Sequence, residues 1–458
     1  MGNKNIYFED LRLKSILKGL YAAYVPYNYR LSRTFRKTTS FLCDSEYWSR
    51  ERIHTHQSKQ LRKLVLHAYQ HVPWYRRKYD SEQIDISSIN GADDLCRLPF
   101  LNKVDVKNAM ENDFCASNLK RDRLVKVMSG GTTGSPASFY HLKGYSDGIF
   151  DAYRIRAWEM SGYRPNARAL DLTWAFSGAR LRFNPYMNWL SYSISSLGPG
   201  FFEEDFEKIR KFAPKFIIGY PSSVTMFAEL VREQKMGELA VDGIITGSEM
   251  LYSSQHEIIS ETFNCRISEW YGLSELAGFA AFCETSDHYH FFPQAGCVEL
   301  IDDSGAYITK EGEEGEIVLT GFHTYATPFI RYRTGDRGIR GGDRCDKCGR
   351  NYPIIKKIIG REQDYILSRG SKVPLSGLNC HADIFQHVWK YQFYQERLGA
   401  VTLRLVPKPT FNEEDFKAIC SLLEQKLGNS FQWNIVQVGD IQSTSRGKHK
   451  FLVQDFKH

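Results

Sequence analysis

Long apolar runs are missing from this sequence. No stretch approaches the roughly 18 to 20 residues that would span a bilayer as a helix. The opening residues, MGNKNIYFEDLRLKS, carry charge with no apolar segment behind them, so no secretory signal is expected. Internal repeats and low-complexity tracts are absent as well. The G-x-x-x-x-G-K-[ST] spacing of a Walker A loop occurs nowhere, so any phosphate cradle must be built differently. Cysteine is thinly spread, with ten residues at irregular intervals along 458. That pattern excludes a disulfide framework and points to reduced thiols in a cytoplasmic protein, with any close pair suspected of metal binding.

What is present is ordinary for a soluble globular chain: 42% hydrophobic and 25% charged residues. A chain of 458 residues exceeds what one core organises, so two or three domains are expected. The net charge of +7 is modest and gives no ground for a nucleic-acid partner. Much of it lies early, where Arg12, Lys14, Lys18, Arg30, Arg33, Arg36 and Lys37 alternate with Tyr21, Tyr24, Tyr27 and Tyr29. A solvated helix covering the main body is the expectation there, and peripheral contact with an anionic membrane is the alternative.

Leu61, Leu64, Val65, Ala68 and Val72 fall at helical spacing before Pro73 interrupts them. In the middle of the chain, short apolar runs alternate with amphipathic stretches. Phe202, Phe206, Ile209 and Phe212 share one helical face, and KFIIGY (Lys215 to Tyr220) reads as a buried strand. A helix through Val224, Phe227, Ala228 and Val231 leads to the strand GIITG (Gly243 to Gly247), and another helix leads to a strand around Arg266 to Trp270. This rhythm predicts an α/β region with a mostly parallel sheet. CVELID and GEIVLTG then read as antiparallel segments. From Gly360 onward the texture changes to a small α+β unit containing VTLRLVP, a helix through Phe416, Ile419, Leu422, Leu423 and Leu427, then NIVQVGD and KFLVQDF. The expected division is 1–359 for a large domain and 360–458 for a small mobile one, with the boundary near Ile359 to Asp364.

Chemistry concentrates in a few phrases. MSGGTTGSP (Met128 to Pro136) has three glycines that let the backbone turn tightly and aim N–H groups at phosphate oxygens, with hydroxyls from Ser129, Thr132, Thr133 and Ser135. Alone, such a loop is as easily a flexible turn. It is followed, in order, by GSEM (Gly247 to Met250), EWYGLSEL (Glu269 to Leu276), PFIRYRTGDRG (Pro328 to Gly338) and GREQD (Gly360 to Asp364). The ordered set resembles the core motifs of the adenylate-forming superfamily of acyl-CoA synthetases. LVLHAYQHVPWYRRKY and LPFLNKVDV extend the resemblance to the phenylacetate–CoA ligase branch, which includes coenzyme F390 synthetase-like and capsule-cluster CapK-like proteins, over nearly the whole chain.

The resemblance implies roles. Ser129, Gly130, Gly131, Thr132, Thr133 and Gly134 would hold the β- and γ-phosphates of ATP. Gly247, Ser248 and Glu249 would line the adenine and acyl pocket, Tyr271 would stack on the purine beside Gly272, and Glu275, after Ser274, would hold Mg²⁺. Asp336 would bind the ribose hydroxyls and Arg361 would reach the same nucleotide. In SRGKHKF (Ser445 to Phe451), Lys448 matches the lysine that serves adenylation, its point charge suited to bringing a carboxylate and a phosphate together. Taken singly, Asp336 could be only a turn residue, Glu275 a helix-start carboxylate and Lys448 a member of a solvated basic loop. Two positions depart from the pattern. Ser135 stands where many relatives have lysine, and Gln363 where many have an acid, which here follows at Asp364.

Cys345-x2-Cys348 has a thiolate spacing suited to a tetrahedral ion, and Cys283 with His288 and His290 lies about sixty residues upstream. A redox C-x-x-C is the weaker alternative, because the pair sits in a charged loop. The resemblance implies a structural zinc on Cys283, His290, Cys345 and Cys348, with His288 the alternative to His290. It also implies activation of a carboxylic acid as acyl-AMP, then transfer to a thiol or amine acceptor such as coenzyme A or a carrier protein. A nucleotide-binding relative without catalysis is the competing reading. Asp171 to Leu190, rich in aromatics, would line the acyl pocket or form core or lid.

Overall fold

A computed structural model of the chain describes residues 21, 24–109, 113–128, 137–173, 179–197, 203–361, 365–368, 372–374, 385, 387–428, 431–442 and 449–455. Its body is one twelve-stranded mixed sheet covered by helices, followed by a smaller four-stranded sheet with one long helix. A short hairpin of β1 (Leu124–Met128) and β2 (Ser138–Leu142) stands apart and brackets the Gly/Thr loop.

The large sheet runs through β3 (Ala169–Leu172), β4 (Leu181–Asn184), β5 (Trp189–Tyr192), β6 (Phe216–Gly219), β7 (Gly243–Gly247) and β8 (Arg266–Gly272). It continues with β9 (Phe279–Phe282), β10 (Tyr289–Phe291), β11 (Gly296–Ile301), β12 (Glu314–Gly321), β13 (Tyr332–Arg340) and β14 (Ile354–Arg361). The spatial order is β11-β12-β13-β14-β10-β9-β8-β7-β6-β3-β5-β4. Strands β5, β3, β6, β7 and β8 pair in parallel, connected through the helices Glu203–Phe212, Pro221–Glu233 and Ser253–Phe263. The α/β class follows from that rhythm. The antiparallel pairings from β8 through β11 make the sheet mixed rather than mostly parallel, because β9 to β14 follow one another without crossover helices. The first long helix spans Arg50–His71 and starts at Ser49, whose side chain accepts from the Arg52 N–H, well before the apolar face at Leu61. Pro73 opens a second helix, Pro73–Ser81, as its fixed φ allows at a first turn.

Arg331 ties the early chain to this sheet. Its guanidinium is buried, paired with Glu299 at 2.8 and 3.1 Å, and it donates to the carbonyls of Cys96 and Leu98. Replacing it with alanine leaves a buried carboxylate and two carbonyls unpaired, so Arg331→Ala should cost about 3–5 kcal/mol in urea unfolding. A loss below about 1 kcal/mol would show that the pair is dispensable.

In the smaller sheet, β17 (Val388–Arg397) and β18 (Ala400–Pro407) form an antiparallel hairpin, flanked in parallel by β20 (Leu452–Gln454) and β19 (Gln432–Gln437). Helix Glu413–Leu427 buries Ile419, Leu422, Leu423 and Leu427 against it, its first turn capped by Asn412. Between the two sheets, β15 (Tyr365–Leu367) and β16 (Lys372–Pro374) form a separate ribbon.

Candidate active site and metal centre

Ligands of open α/β sheets gather beyond the carboxyl ends of parallel strands, and two of the expected phrases meet there. Strands β7 and β8 are parallel neighbours with Gly247 opposite Trp270. A side chain at Gly247 would meet the Trp270 indole nitrogen at 2.5 Å, so only glycine lets the two strands end together. Directly after β7 the backbone enters the left-handed region at Ser248 (φ 68°), and four residues beyond the end of β8 it does so again at Leu276 (φ 57°). That strain costs on the order of 1–3 kcal/mol per residue and marks loops shaped for function. Glu249 accepts from the Ser222 N–H at 3.2 Å, so its carboxylate also serves the start of helix Pro221–Glu233.

The third phrase arrives from β13, distant in strand order. β13 bulges opposite Glu316 and Val318 with Gly335 at φ 74°, and the Tyr271 hydroxyl donates to Asp336 Oδ2 at 2.7 Å. Asp336 is buried, and Arg361 lies opposite it in the β13–β14 register. Glu275, also buried, accepts from the Ser274 hydroxyl at 3.1 Å and from the Tyr332 hydroxyl at 3.3 Å. A carboxylate held by two hydroxyls keeps lone pairs for a cation. On β2, the His141 ring lies within hydrogen-bond reach of the Ser274 backbone, and burial lowers its pKa. The structure therefore brings Tyr271, Gly272, Ser274, Glu275 and Asp336 together, beside Gly247, Ser248 and Glu249. Ser129 to Gly134, Ser135, Gln363, Asp364, Lys448 and the Arg361 side chain lie outside the described residues. Sequence reasoning missed Tyr332 and His141, although Tyr332 stands in the same phrase as Asp336.

A second cluster forms where β10, which carries His290, meets the loops holding Cys283 to His288 and Cys345 to Cys348. Ligand atoms of Cys283, His288, His290 and Cys345 all lie within 4.8 Å of one another, and Cys348 Sγ is 3.4 Å from His290 Nε2. Gly349, at φ 80°, turns the chain back so that its N–H bonds the Cys345 carbonyl at 2.8 Å. Cys283 and His290 are wholly buried. His290 Nδ1 and His288 Nε2 are buried without hydrogen-bond partners, an arrangement costly for imidazoles unless something binds them. Burial raises the Cys283 thiol, but contacts from His288, His290 and Thr285 outweigh it and favour thiolate. Soft thiolates, imidazoles and orphaned nitrogens together fit a thiophilic divalent ion. His288 joins the four residues expected from the sequence, giving five donors where a tetrahedral ion takes four. Arg350 fastens this loop to the rest: it is buried, bonded to Glu46 of the early helical segment and to Glu284 at 2.6 Å.

Comparison with known proteins adds to this geometry. A family model described as the CapK C-terminal domain matches residues 366–455. Phenylacetate-coenzyme A ligase of Thermus thermophilus is 28% identical over 340 residues, covering 71% of this chain and 74% of that protein. The Escherichia coli phenylacetate-coenzyme A ligase is 26% identical over 423 residues, covering 86% and 92% respectively. Protein CapK of Staphylococcus aureus is 24% identical over 404 residues, covering 83% and 84%. Over most of its length the chain is similar to phenylacetate-coenzyme A ligases and to Protein CapK, and its last part matches the CapK C-terminal domain. The fold agrees: 2-hydroxyisobutyryl-CoA ligase in its postadenylation state superimposes with a TM-score of 0.69, covering 90% of this chain and 91% of that one at 18% identity. No helix of the described residues is long and apolar enough to cross a membrane.

Proposed function

We propose that this chain activates a carboxylic acid with ATP, forming acyl-AMP and pyrophosphate, and then passes the acyl group to a thiol, with coenzyme A the leading acceptor. The observation that carries the reading is the meeting of Tyr271 and Asp336 at the ends of β7 and β8, next to Glu275. The Asp336 carboxylate, bonded to a phenol hydroxyl, is suited to exchange that donor for ribose hydroxyls while Tyr271 lies along the base. Glu275 would hold Mg²⁺, which supplies charge neutralisation on the departing pyrophosphate. Ser129 to Gly134 would cradle the β- and γ-phosphates, with Gly247 to Glu249 beside the adenine and acyl groups. Lys448 and Arg361 would close on the nucleotide from the small domain, 360–458, turning against 1–359 about Gly360 to Asp364.

The acyl pocket is assigned to the segment around Asp171 to Leu190. Asp171, at the end of β3, is buried and bonded by Thr173 and by Ser191 at 2.7 Å. An aryl or compact acid fits its aromatic composition. Cys283, His290, Cys345 and Cys348 are proposed to hold a structural zinc, with His288 as the competing fourth ligand. The match of residues 366–455 to the CapK C-terminal model favours a second reading of the acceptor step. There, within surface polysaccharide synthesis, a carrier protein or amino sugar replaces coenzyme A. Product analysis tests the reaction class: an acid and coenzyme A together should yield AMP and a thioester, whereas formation of ADP would exclude adenylation. A narrower test concerns Tyr332, the hydroxyl donor to Glu275. Tyr332→Phe should raise the Mg²⁺ needed for half-maximal turnover about 10- to 100-fold. An unchanged Mg²⁺ requirement would remove Tyr332 from the account.

A further inference from the structure

The lysine of adenylation is useful only while its loop faces the nucleotide, so whatever holds the small sheet in that orientation matters to the first half-reaction. Residues directly after Lys448 are fixed to β17. The Nε2 of His449 bonds the Tyr391 carbonyl at 2.7 Å and its ring stands edge-on to Phe451 at 4.6 Å. Gln392 donates to the Lys450 carbonyl at 3.0 Å, and the Phe393 N–H donates to the Phe451 carbonyl at 2.8 Å. Phe451 in turn meets Tyr252, 5.9 Å between ring centres, and Tyr252 caps the helix that follows Gly247 to Met250. In this arrangement the root of the lysine loop stands next to the nucleotide loop.

The open end of the same hairpin carries a buried cation into the large body. Lys408 follows β18, and its N–H bonds the His387 carbonyl at 2.9 Å, just before β17. Its side chain is only 4% exposed, and its ammonium lies 2.5 Å from Glu233 Oε1 at the end of helix Pro221–Glu233. The ammonium also sits 5.0 Å above the Trp389 ring, and Trp389 packs into the hydrophobic cluster of the parallel half. Glu229, one turn earlier on that helix, feels the same charge, and burial raises its carboxyl to about 7. A buried ammonium without its partner is strongly unfavourable. The pair joins the small sheet to the large body in this arrangement, and turning the small sheet away would break it.

We propose that Lys408, through Glu233, is a positioning residue for adenylation: it latches the small sheet where Lys448 can act, and must release before the acceptor step. The proposal rests on the ligase reading above. Its test uses full-length Lys408→Met, Glu233→Gln and the charge-swapped double variant K408E/E233K. Acid-dependent exchange of pyrophosphate into ATP is measured with the acid most active in the wild type. Thiol-dependent consumption of the matching synthetic acyl-adenylate is measured beside it. Each single variant should lose on the order of 10- to 100-fold in exchange kcat, as loss of a buried pair shifts the orientation equilibrium. The KM for ATP and the rate of adenylate consumption should hold, and the swapped pair should regain most of the exchange. Equal losses in both half-reactions, or no loss in either, would overturn the latch. If the wild type exchanges with no acid, the ligase reading fails by itself. Small-angle scattering of the unliganded proteins then decides the latch separately: Lys408→Met should enlarge the radius of gyration, and an unchanged radius rejects it.

Discussion

Lys448→Ala is expected to slow acid-dependent pyrophosphate release on the order of 100- to 1,000-fold, the loss that follows removal of one preorganised charge at a reacting centre. The lysine would neutralise the substrate carboxylate and the α-phosphate as they approach, which otherwise repel. His449 and Phe451 keep their own bonds to β17 without the lysine, so the variant should melt with the wild type. It should also consume a supplied acyl-adenylate with a thiol at an undiminished rate, since that step begins after the α-phosphate has been attacked. Pyrophosphate release at the wild-type rate would exclude Lys448 from catalysis.

Cys345→Ser is expected to remove most of the bound metal and lower the melting temperature by roughly 5 to 10 °C. Protein purified under reducing conditions should carry about one zinc per chain, because four protein donors make a closed structural site. Structural zinc contributes an apparent ~10 to 16 kcal/mol in small peptides, and a large folded body feels only part of it. The connection to stability runs through Arg350. That residue sits two positions after Cys348 and bonds both Glu46 and Glu284, so a loosened loop also loosens the early helical segment. Cys348→Ser should act similarly, while His288→Ala should spare the metal if His290 is the ligand. Elemental analysis that finds no metal in reduced wild-type protein would refute the site.

The parallel half of the fold was legible because its signals are local. GIITG is β7, KFIIGY contains β6, and VTLRLVP is β18, each a short apolar run bounded by a turn or a helix. The beginning of the long helix was harder to see. Arg50 to Gln60 is charged and polar, and its helicity is set by Ser49 capping and by the buried Ile53 rather than by an apolar stripe. At the active site, each phrase was visible but their meeting was not. Nothing in the spacing says that β13, separated from β8 by β14, β10 and β9, curls back to set Asp336 against Tyr271 and Tyr332 against Glu275. The Cys/His cluster shows the same limit. C-x2-C announces two ligands, while the choice among Cys283, His288 and His290 depends on the β9–β10 turn, where the Cys283 N–H bonds the His288 carbonyl and folds His288 inward. Lys408 gave no signal at all, since a lysine after a strand reads as solvated until a glutamate from a distant helix is seen beside it.

The central claim is that this chain joins a carboxylate to the α-phosphate of ATP. Exchange of labelled pyrophosphate into ATP, run across aromatic, short-chain, hydroxy and amino acids with Mg²⁺ present, measures that step in its reversible form. The account predicts exchange that depends strictly on one class of acid, strongest with an aryl or compact one, and slow ATP hydrolysis without it because closure keeps water out. Tight ATP binding with no exchange for any acid in the panel would contradict it, leaving a nucleotide-binding protein in place of a ligase.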